Sequence, residues 1–403
     1  MKNIIVQITK TIVLKIQGYG TELDTLVTGY TAGMNYVSGF VHTNGKPIGS
    51  GKIQKEVYRD LRLKFDLKSQ MACNICRQVS GTYKTLQEQV KIGQAEWQKI
   101  EYKASNVTFS FQRDYTLTEK ELSITTLENR KRYPINIYDH AKQYFDGSWT
   151  FSASKLVKHK DGYYFHLCCE KEVETKPLME SPTFMGIDVG MNWLAVGSTT
   201  DKECKFFGNG GIAKHIRSMY KGMRGRLQAK GTKSAKRVMT RIADKERRLM
   251  ASINHVISKD IVRFAVQHGV TCIGLEDLTG LRADTVYKCK KPNRYHKSSW
   301  SYYQLQNFVE YKAAENGIST EYVNPEYTSQ TCNRCNHIHK PNRQGLWYRC
   351  NCCGATLHSD LNAARNIEQR LRTSRYNSEV QGCESATHTD VTKNIQAPSF
   401  KVG

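Results

Sequence analysis

Four cysteines in a C-x2-C-x14-C-x2-C array constrain the fold of this chain more than any other feature. Cys332 and Cys335 form the first pair, and Cys350 and Cys353 form the second. Two such pairs around a hairpin-length spacer suit one tetrahedral zinc ion, whose four thiolates leave no position open for water. Cys352 offers a second pairing, but the x2 spacing favours Cys353 and leaves Cys352 spare. We therefore predict a structural zinc ribbon.

The overall charge indicates the kind of partner. The chain has 403 residues, of which 60 are Lys or Arg and 37 are Asp or Glu, a formal charge of +23. This length allows two or three domains with full cores. Such an excess of positive charge favours a polyanion, because neutralising phosphates releases counterions. General solubility is the alternative, although it usually needs a net charge of only about 2–8 for a small domain.

The thirteen cysteines also bear on the compartment. The first residues, MKNIIVQITK, lack the apolar region and cleavage site of a signal peptide. No apolar run approaches the roughly 20 residues that a membrane span needs. We therefore expect a cytoplasmic protein without a membrane partner, in which four thiolates bind zinc and the other thiols stay reduced.

Three acidic residues occupy positions typical of metal ligands. Asp188 ends the apolar segment FMGID, Glu276 ends TCIGLE, and Asp360 opens a helix after the cysteine array. Carboxylates on two strands and a helix can converge on two Mg²⁺ ions about 3.5–4 Å apart, the arrangement for phosphodiester hydrolysis. The alternative is that each acid is a helix cap or a solvated strand end, and Asp277 competes with Glu276 as ligand. Their combined context favours a metal-dependent nuclease.

The remaining pattern suggests several domains. Strand-like segments in residues 1–30 give way to helical periodicity from 35 to 89, and strands return in 100–175, which suggests a small β-barrel with a helical insertion. From Phe184 the pattern predicts three strands, a long basic helix, a strand, a helix and a strand before the cysteine array. The last thirty residues are polar and aperiodic, so we expect disorder there.

Basic residues are concentrated in the segment 214–248, which carries thirteen Lys or Arg against only Asp244 and Glu246. A solvated helix face is the alternative, but this imbalance favours contact with nucleic acid. The candidate contacts, including two from the N-terminal helical segment, are Arg59, Arg62, Lys221, Arg224, Arg226, Lys236, Arg237 and Arg241. Trp300, Tyr302 and Tyr303 follow a basic stretch and either stack on bases or pack in the core.

Three motifs together resemble those of a known family. The segments GIDVGMNWLAV, GLEDL and CNRC…CNCCGATLHSDLNAARNI resemble the RuvC motifs and zinc ribbon of TnpB, the OrfB protein of bacterial insertion sequences and ancestor of compact type V CRISPR effectors. The resemblance is specific over about residues 182–370. It implies that Asp188, Glu276 and Asp360 are the catalytic acids. One departure is His358, where many TnpB proteins have an acidic residue.

The resemblance also implies a multidomain α/β and α+β architecture. An RNase H-like (RuvC) domain is expected over residues 182–327 and 358–371, with the zinc ribbon inserted at 328–357. A wedge-like β-barrel is expected over 1–34 and 99–181, with the helical recognition segment inserted at 35–98. The tail, 372–403, is expected to be disordered.

The resemblance further implies an RNA-guided DNA endonuclease that binds a guide RNA and cuts double-stranded target DNA beside a short motif. One protein per RNA, two Mg²⁺ per active site, one structural Zn²⁺ and a location at the bacterial or archaeal nucleoid are expected. A transposon origin is favoured, a compact CRISPR effector stays open, and a non-cutting regulator is disfavoured because all three acids are present. A guide-independent nuclease would not need the basic N-terminal region.

Overall fold

The computed structural model describes residues 5–104, 106–159, 161–174, 182–278, 302–381 and 394–396. It divides into two compact units, one formed by Thr9–Lys171 and the other by Met1–Ile8 with Glu172–Gly403. Within the described ranges, no helix combines the length and the apolar character required to cross a membrane.

The helices alternate with short and long strands along the chain. The helices are α1 Glu22–Thr43, α2 Ser50–Lys64, α3 Ser69–Lys91, α4 Asp139–Lys142, α5 Gly210–Lys230, α6 Lys233–Ile242, α7 Lys245–Gln267, α8 Tyr302–Glu315 and α9 Ser359–Gln381. The strands are β1 Ile5–Lys15, β2 Val107–Phe109, β3 Tyr115–Leu117, β4 Glu121–Thr125, β5 Arg130–Pro134, β6 Thr150–Phe151, β7 Ser154–His159, β8 Gly162–Glu174, β9 Thr183–Asp188, β10 Trp193–Thr199, β11 Cys204–Asn209, β12 Val270–Glu276, β13 Ser319–Val323, β14 Arg343–Gln344, β15 Trp347–Arg349, β16 Thr356–His358 and β17 Asn394–Gln396.

The unit Thr9–Lys171 combines strands with three long helices. Its main sheet runs in the order β1-β8-β7-β2, with β6 on β8, and a second antiparallel sheet has the order β3-β4-β5. Residues of α1, α2 and α3 share one apolar core with the strands. The expectation of strands and turns through residue 30 is wrong from Glu22 onward, because Leu23, Leu26 and Tyr30 recur at helical spacing and are fully buried on one face of α1.

The second unit contains a five-stranded sheet in the order β11-β10-β9-β12-β13. β9, β10 and β11 pair antiparallel, whereas β12 lies parallel to both β9 and β13. Helices α7 and α8 bury apolar residues against this sheet, and Ile367 and Leu371 of α9 pack with Phe184 and Cys272. The strand ends of β9 and β12 therefore meet at one edge, beside the start of α9.

Two predicted elements differ from the structure. The single long basic helix is wrong: the chain leaves α5 at Gly231, whose φ of +61° is left-handed, and continues as α6 and then α7. Helix α9 continues to Gln381, past residue 372, where we expected disorder to begin. Residues 382–393 and 397–403 of that predicted tail lie outside the described residues.

Candidate active site and metal centre

Two neighbouring strands place Asp188 and Glu276 side by side. In the parallel register of β9 and β12, Gly186 faces Gly274 and Ile187 faces Leu275, so the two acids occupy the next position on each strand. Adjacent strands lie about 4.8 Å apart. Because side chains alternate along a strand, each acid lies on the same face as the glycine two residues before it.

Those glycines allow helix α9 to approach the face that carries the acids. A Cβ atom at Gly186 would lie 2.2 Å from the carbonyl oxygen of Ala364, so only glycine fits beneath the helix backbone. Asp360 lies one turn earlier on α9 and is 5% exposed. A Cβ atom built on Gly190 would lie 3.7 Å from Asp360 Oδ2 and 3.9 Å from Asp188 Oδ2, so the two carboxylates approach the same space. The close packing of α9 therefore brings the third acid to the first two.

Glu276 is held by residues outside its own strand. The Thr328 hydroxyl donates to Glu276 Oε1, and Gln306 Nε2 of α8 donates to the Glu276 carbonyl oxygen at 2.8 Å. Asp277, the competing ligand, donates its backbone N–H to Val323 and is not among the residues that line the acidic cleft. Glu276, by contrast, lines that cleft together with Asp188.

Arg343 is a cleft residue that sequence reasoning missed. Its Nη2 donates to Asp360 Oδ1 at 3.2 Å, and it lines a cleft of about 440 Å³ with Asp188 and Glu276. The residue lies on β14, inside the spacer between the cysteine pairs. No local pattern marks it, because its proximity to Asp360 depends on how the hairpin folds back on α9.

The acids are electrostatically unfavourable without a cation. Burial, and then the negative charges of Glu276 and Asp360, raise the pKa of Asp188 well above its usual range. Burial likewise raises the pKa of Glu276. Arg343 opposes both shifts. Carboxylate oxygens are the ligands that Mg²⁺ prefers, so this donor set fits a divalent cation, which would favour the ionised forms of Asp188 and Glu276.

The four array cysteines form a separate metal-binding group. Their sulfur atoms lie within 4.8 Å of one another, and among the described residues no other group of three or more Cys, His, Asp or Glu side chains meets that distance. The Cys332–Cys353 and Cys335–Cys350 Sγ pairs are 3.6 Å apart. A tetrahedron with Zn–S bonds of about 2.3 Å requires about 3.8 Å. Cys352 is exposed and lies outside the group.

The carboxylate oxygens of the three acids are more widely spread than the cysteine sulfur atoms, since they do not all lie within 4.8 Å of one another. Asp188 and Glu276 line one cleft with Arg343, whose guanidinium contacts Oδ1 of Asp360. The other carboxylate oxygen, Asp360 Oδ2, is the one that lies on the side of Asp188.

Most of the predicted nucleic-acid contacts are solvent-exposed. Arg59 and Arg62 lie on the exposed side of α2, and the other exposed candidates are Lys221, Arg226, Lys236, Arg237 and Arg241. Arg224 differs, because it is half-buried and forms an ion pair with Glu246, which also lies 3.6 Å from Arg217. Glu246 therefore joins α5 to α7, an interaction that charge counting alone did not reveal.

The predicted aromatic contacts divide in the same way. Tyr302 packs against the core of the second unit, whereas Tyr303 is 70% exposed. Trp300 lies outside the described residues.

Comparison with known proteins relates the chain to compact nucleases. Residues 302–367 match the family model described as "Cas12f1-like, TNB domain". The chain is 29% identical over 235 residues to a CRISPR-associated endodeoxyribonuclease Cas12f1 of Sulfoacidibacillus thermotolerans, a match covering 55% of this chain and 54% of that protein. It is 36% identical over 132 residues to a TnpB-like protein of Methanocaldococcus jannaschii, covering 33% and 46% of the two chains. The matched part thus spans about half the length of these relatives.

Solved structures give the fold class. The fold is similar to that of a Cas12f1–sgRNA–target DNA complex, with a TM-score of 0.55 at 13% identity, over 90% of this chain and 99% of that chain. CasPhi-2 (Cas12j) bound to crRNA and DNA gives a TM-score of 0.51 at 10% identity, over 90% and 91%. The fold is therefore the mixed α/β fold of Cas12 effectors. Within that class, the chain is similar to TnpB-like proteins and compact type V effectors, which confirms the resemblance noted from its motifs.

Proposed function

We propose that this protein is an RNA-guided DNA endonuclease of a transposable element, which cuts target DNA beside a short adjacent motif. The observation that carries the proposal is the approach of Asp188, Glu276 and Asp360, from β9, β12 and α9. Asp188 and Glu276 line one cleft, and Asp360 forms an ion pair with the cleft residue Arg343 and lies close to Asp188. Helix caps and solvated strand ends scattered over the surface would not meet in this way. The net charge of +23 suits guide RNA and double-stranded DNA as partners.

The chemistry is two-metal phosphodiester hydrolysis at this single site. Asp188, Glu276 and Asp360 would hold two Mg²⁺ ions, which supply an activated water and stabilise the leaving oxygen. Thr328 keeps the Glu276 carboxylate oriented. Arg343, once released from Asp360, presents a guanidinium to the scissile phosphate, for which its planar donors are well suited.

The topology supports the domain assignments that we propose. The order β11-β10-β9-β12-β13, three antiparallel strands followed by two parallel ones, supports an RNase H-like (RuvC) domain over residues 182–327 and 358–371. The cysteine hairpin supports a zinc ribbon over 328–357 with one Zn²⁺. Sheets and helices of the other unit support a wedge-like barrel, 1–34 and 99–181, with a helical recognition segment, 35–98.

A compact type V CRISPR effector is the second candidate, favoured by the similarity to Cas12f1. The two candidates share the site and its chemistry and differ in the DNA that surrounds the gene. In both, one protein per guide RNA at the nucleoid is the simplest assembly.

The test is to express the protein with its native flanking DNA and to sequence the RNA that co-purifies. We expect one discrete RNA whose end matches flanking sequence, and Mg²⁺-dependent cleavage of DNA complementary to it. Asp188→Asn should retain the RNA and lose cleavage, because the acid contacts only metal and phosphate. Heterogeneous RNA, or a variant that cuts at the wild-type rate, would refute the proposal.

A further inference from the structure

A row of four aromatic side chains lies next to Asp360. Trp193 contacts Phe206 at a centroid distance of 5.4 Å, and Phe206 contacts His358 at 5.1 Å. His358 in turn lies 6.4 Å from Trp347. The four residues come from β10, β11, β16 and β15, so only the tertiary structure assembles them. We call them the aromatic row.

The row is joined directly to the acids. The Asp360 backbone N–H donates to His358 Nδ1 at 3.2 Å. At the other end, the backbone of Trp193 lies next to Gly190. A Cβ atom built on Gly190 would lie 3.0 Å from the Trp193 carbonyl oxygen and within 4 Å of Asp188 Oδ2 and Asp360 Oδ2. A strand that lies along the row therefore passes beside the acids.

The exposed end of the row is not explained by core packing. Trp347 is 62% exposed, whereas its neighbour Tyr348 is fully buried among the cysteines. Burying a large apolar side chain stabilises a protein, and this tryptophan forgoes most of that stabilisation. An exposed indole ring beside a polar cleft is typical of a ligand-contacting residue.

Positive charge accompanies both ends of the row. Arg349 lies on the exposed side of β15 with Trp347, two residues away. At the other end, Lys214 donates to the side chain of Asn192, the neighbour of Trp193. The rings of the row contact one another edge to face, and Trp347 is the exposed ring at its end. An exposed aromatic ring near cations matches an unpaired polynucleotide, whose bases stack and whose phosphates are anionic. Paired bases do not offer their faces, so duplex DNA does not fit this surface.

We propose that the aromatic row contacts single-stranded DNA, with Trp347 as the residue on which a base stacks, and so holds the strand near the acidic residues. The inference rests on the proposed function and adds the residues that position its substrate. It also gives His358, the departure from the family pattern, a role: its ring bridges Phe206 and Trp347 while its Nδ1 accepts the Asp360 N–H.

The test compares two single strands of equal length, one of thymidines and one of abasic residues, for binding to the full-length protein without added magnesium. Wild-type protein should prefer the thymidine strand by about tenfold, since each stacked base contributes about 1–3 kcal/mol. Trp347→Leu should lose most of this preference, because leucine keeps apolar bulk without an aromatic face. Trp347→Tyr should retain it.

Ile338→Ala is the matched control, since Ile338 lies in the same hairpin region, is 51% exposed and is outside the row. It should keep the wild-type preference. An equal preference in wild-type protein and Trp347→Leu, with zinc content and melting temperature unchanged, would overturn the proposal; if that variant does not fold, Phe206→Leu gives the same comparison. Because the readout is binding, absence of Mg²⁺-dependent cleavage would refute the proposed function without deciding this inference.

Discussion

At the scale of single residues, the cleft is governed by charge that the folded protein must neutralise. Asp188 is crowded by Glu276 and Asp360, and Arg343 forms an ion pair with Asp360. Such crowding makes the metal-free site costly at neutral pH and makes a divalent cation favourable. Removing one of these acids should therefore raise the stability of the metal-free protein and lower its affinity for the metal.

We expect Asp188→Asn to raise the melting temperature of the metal-free protein at pH 8. The pKa of Asp188 is raised in the folded state, so the folded protein binds this proton more tightly than the unfolded chain. Stability therefore falls as pH rises above the unfolded value of 3.8, and asparagine removes the loss. Melting curves between pH 3.5 and 8 should converge at the acid end. A variant less stable than wild type at pH 8 would contradict the assignment.

Arg343→Gln should tighten Mg²⁺ binding, because magnesium no longer competes with a guanidinium for Asp360. Metal-free stability should fall by on the order of 1 kcal/mol, since the Arg343 side chain is 38% exposed and its ion pair is partly screened. Titration of the melting temperature with Mg²⁺ gives both quantities. Arg349→Gln is the control, since it removes the same charge from the hairpin without a contact to Asp360, and it should bind Mg²⁺ like wild type.

At the scale of elements, the site depends on how closely α9 approaches the sheet. Gly186 permits backbone contact with α9, whereas Gly274, its partner on β12, faces the side chains of Ile367 and Leu371. The two glycines share a register and a face but differ in what lies opposite. Comparing the two positions therefore separates a clash with backbone atoms from a clash with side-chain atoms, which can move.

Gly186→Ala should destabilise the protein by roughly 3 kcal/mol or more, because a Cβ there lies 2.2 Å from backbone that cannot yield. Gly274→Ala should cost about 1 kcal/mol, since its nearest contacts, at 3.2–3.3 Å, are side-chain atoms. Urea unfolding measures both. Equal losses would show that α9 is not pressed against β9 as described.

The ribbon can be tested through its cysteines. Cys335→Ser should release the metal and lower stability, because one of four thiolates is lost. Cys352→Ser should keep a full equivalent of zinc, since Cys352 is exposed and outside the group. Elemental analysis of the purified proteins decides this. A wild-type protein without zinc would refute the ribbon assignment.

At the scale of the whole molecule, we expect nucleic-acid binding to depend on where the positive charges lie and not only on their total number. Arg237 and Arg241 are exposed and one turn apart on α6. Lys91 and Lys142 are equally exposed but have acidic neighbours, Glu88 and Asp139. Removing either pair changes the net charge by the same amount, so the comparison separates specific phosphate contact from the general field.

Arg237→Gln with Arg241→Gln should reduce the salt dependence of duplex binding by about 2 in the slope of log K against log salt, because each phosphate contact contributes about 0.9. Lys91→Gln with Lys142→Gln should leave the slope near wild type. Affinity measured from 50 to 300 mM salt supplies the slopes. Identical slopes for the two double variants would remove α6 from the nucleic-acid surface.

Sequence alone determined the features whose cause is local. The cysteine spacing indicated the metal group, and short apolar runs predicted β9 and β12, which are buried along most of their length. The motif resemblance indicated the relatives. These succeed because a strand period or a ligand spacing depends on residues a few positions apart.

Only the tertiary structure decided what meets at the site. Arg343 forms an ion pair with Asp360, Arg224 forms one with Glu246, and four aromatic residues from four strands form one row. None of these contacts has a signal in the local sequence. The division of the basic segment into α5, α6 and α7 and the early start of α1 likewise depend on which helix faces pack against an apolar core. Contacts between distant residues depend on the packing of whole elements, which the order of residues along one element does not specify.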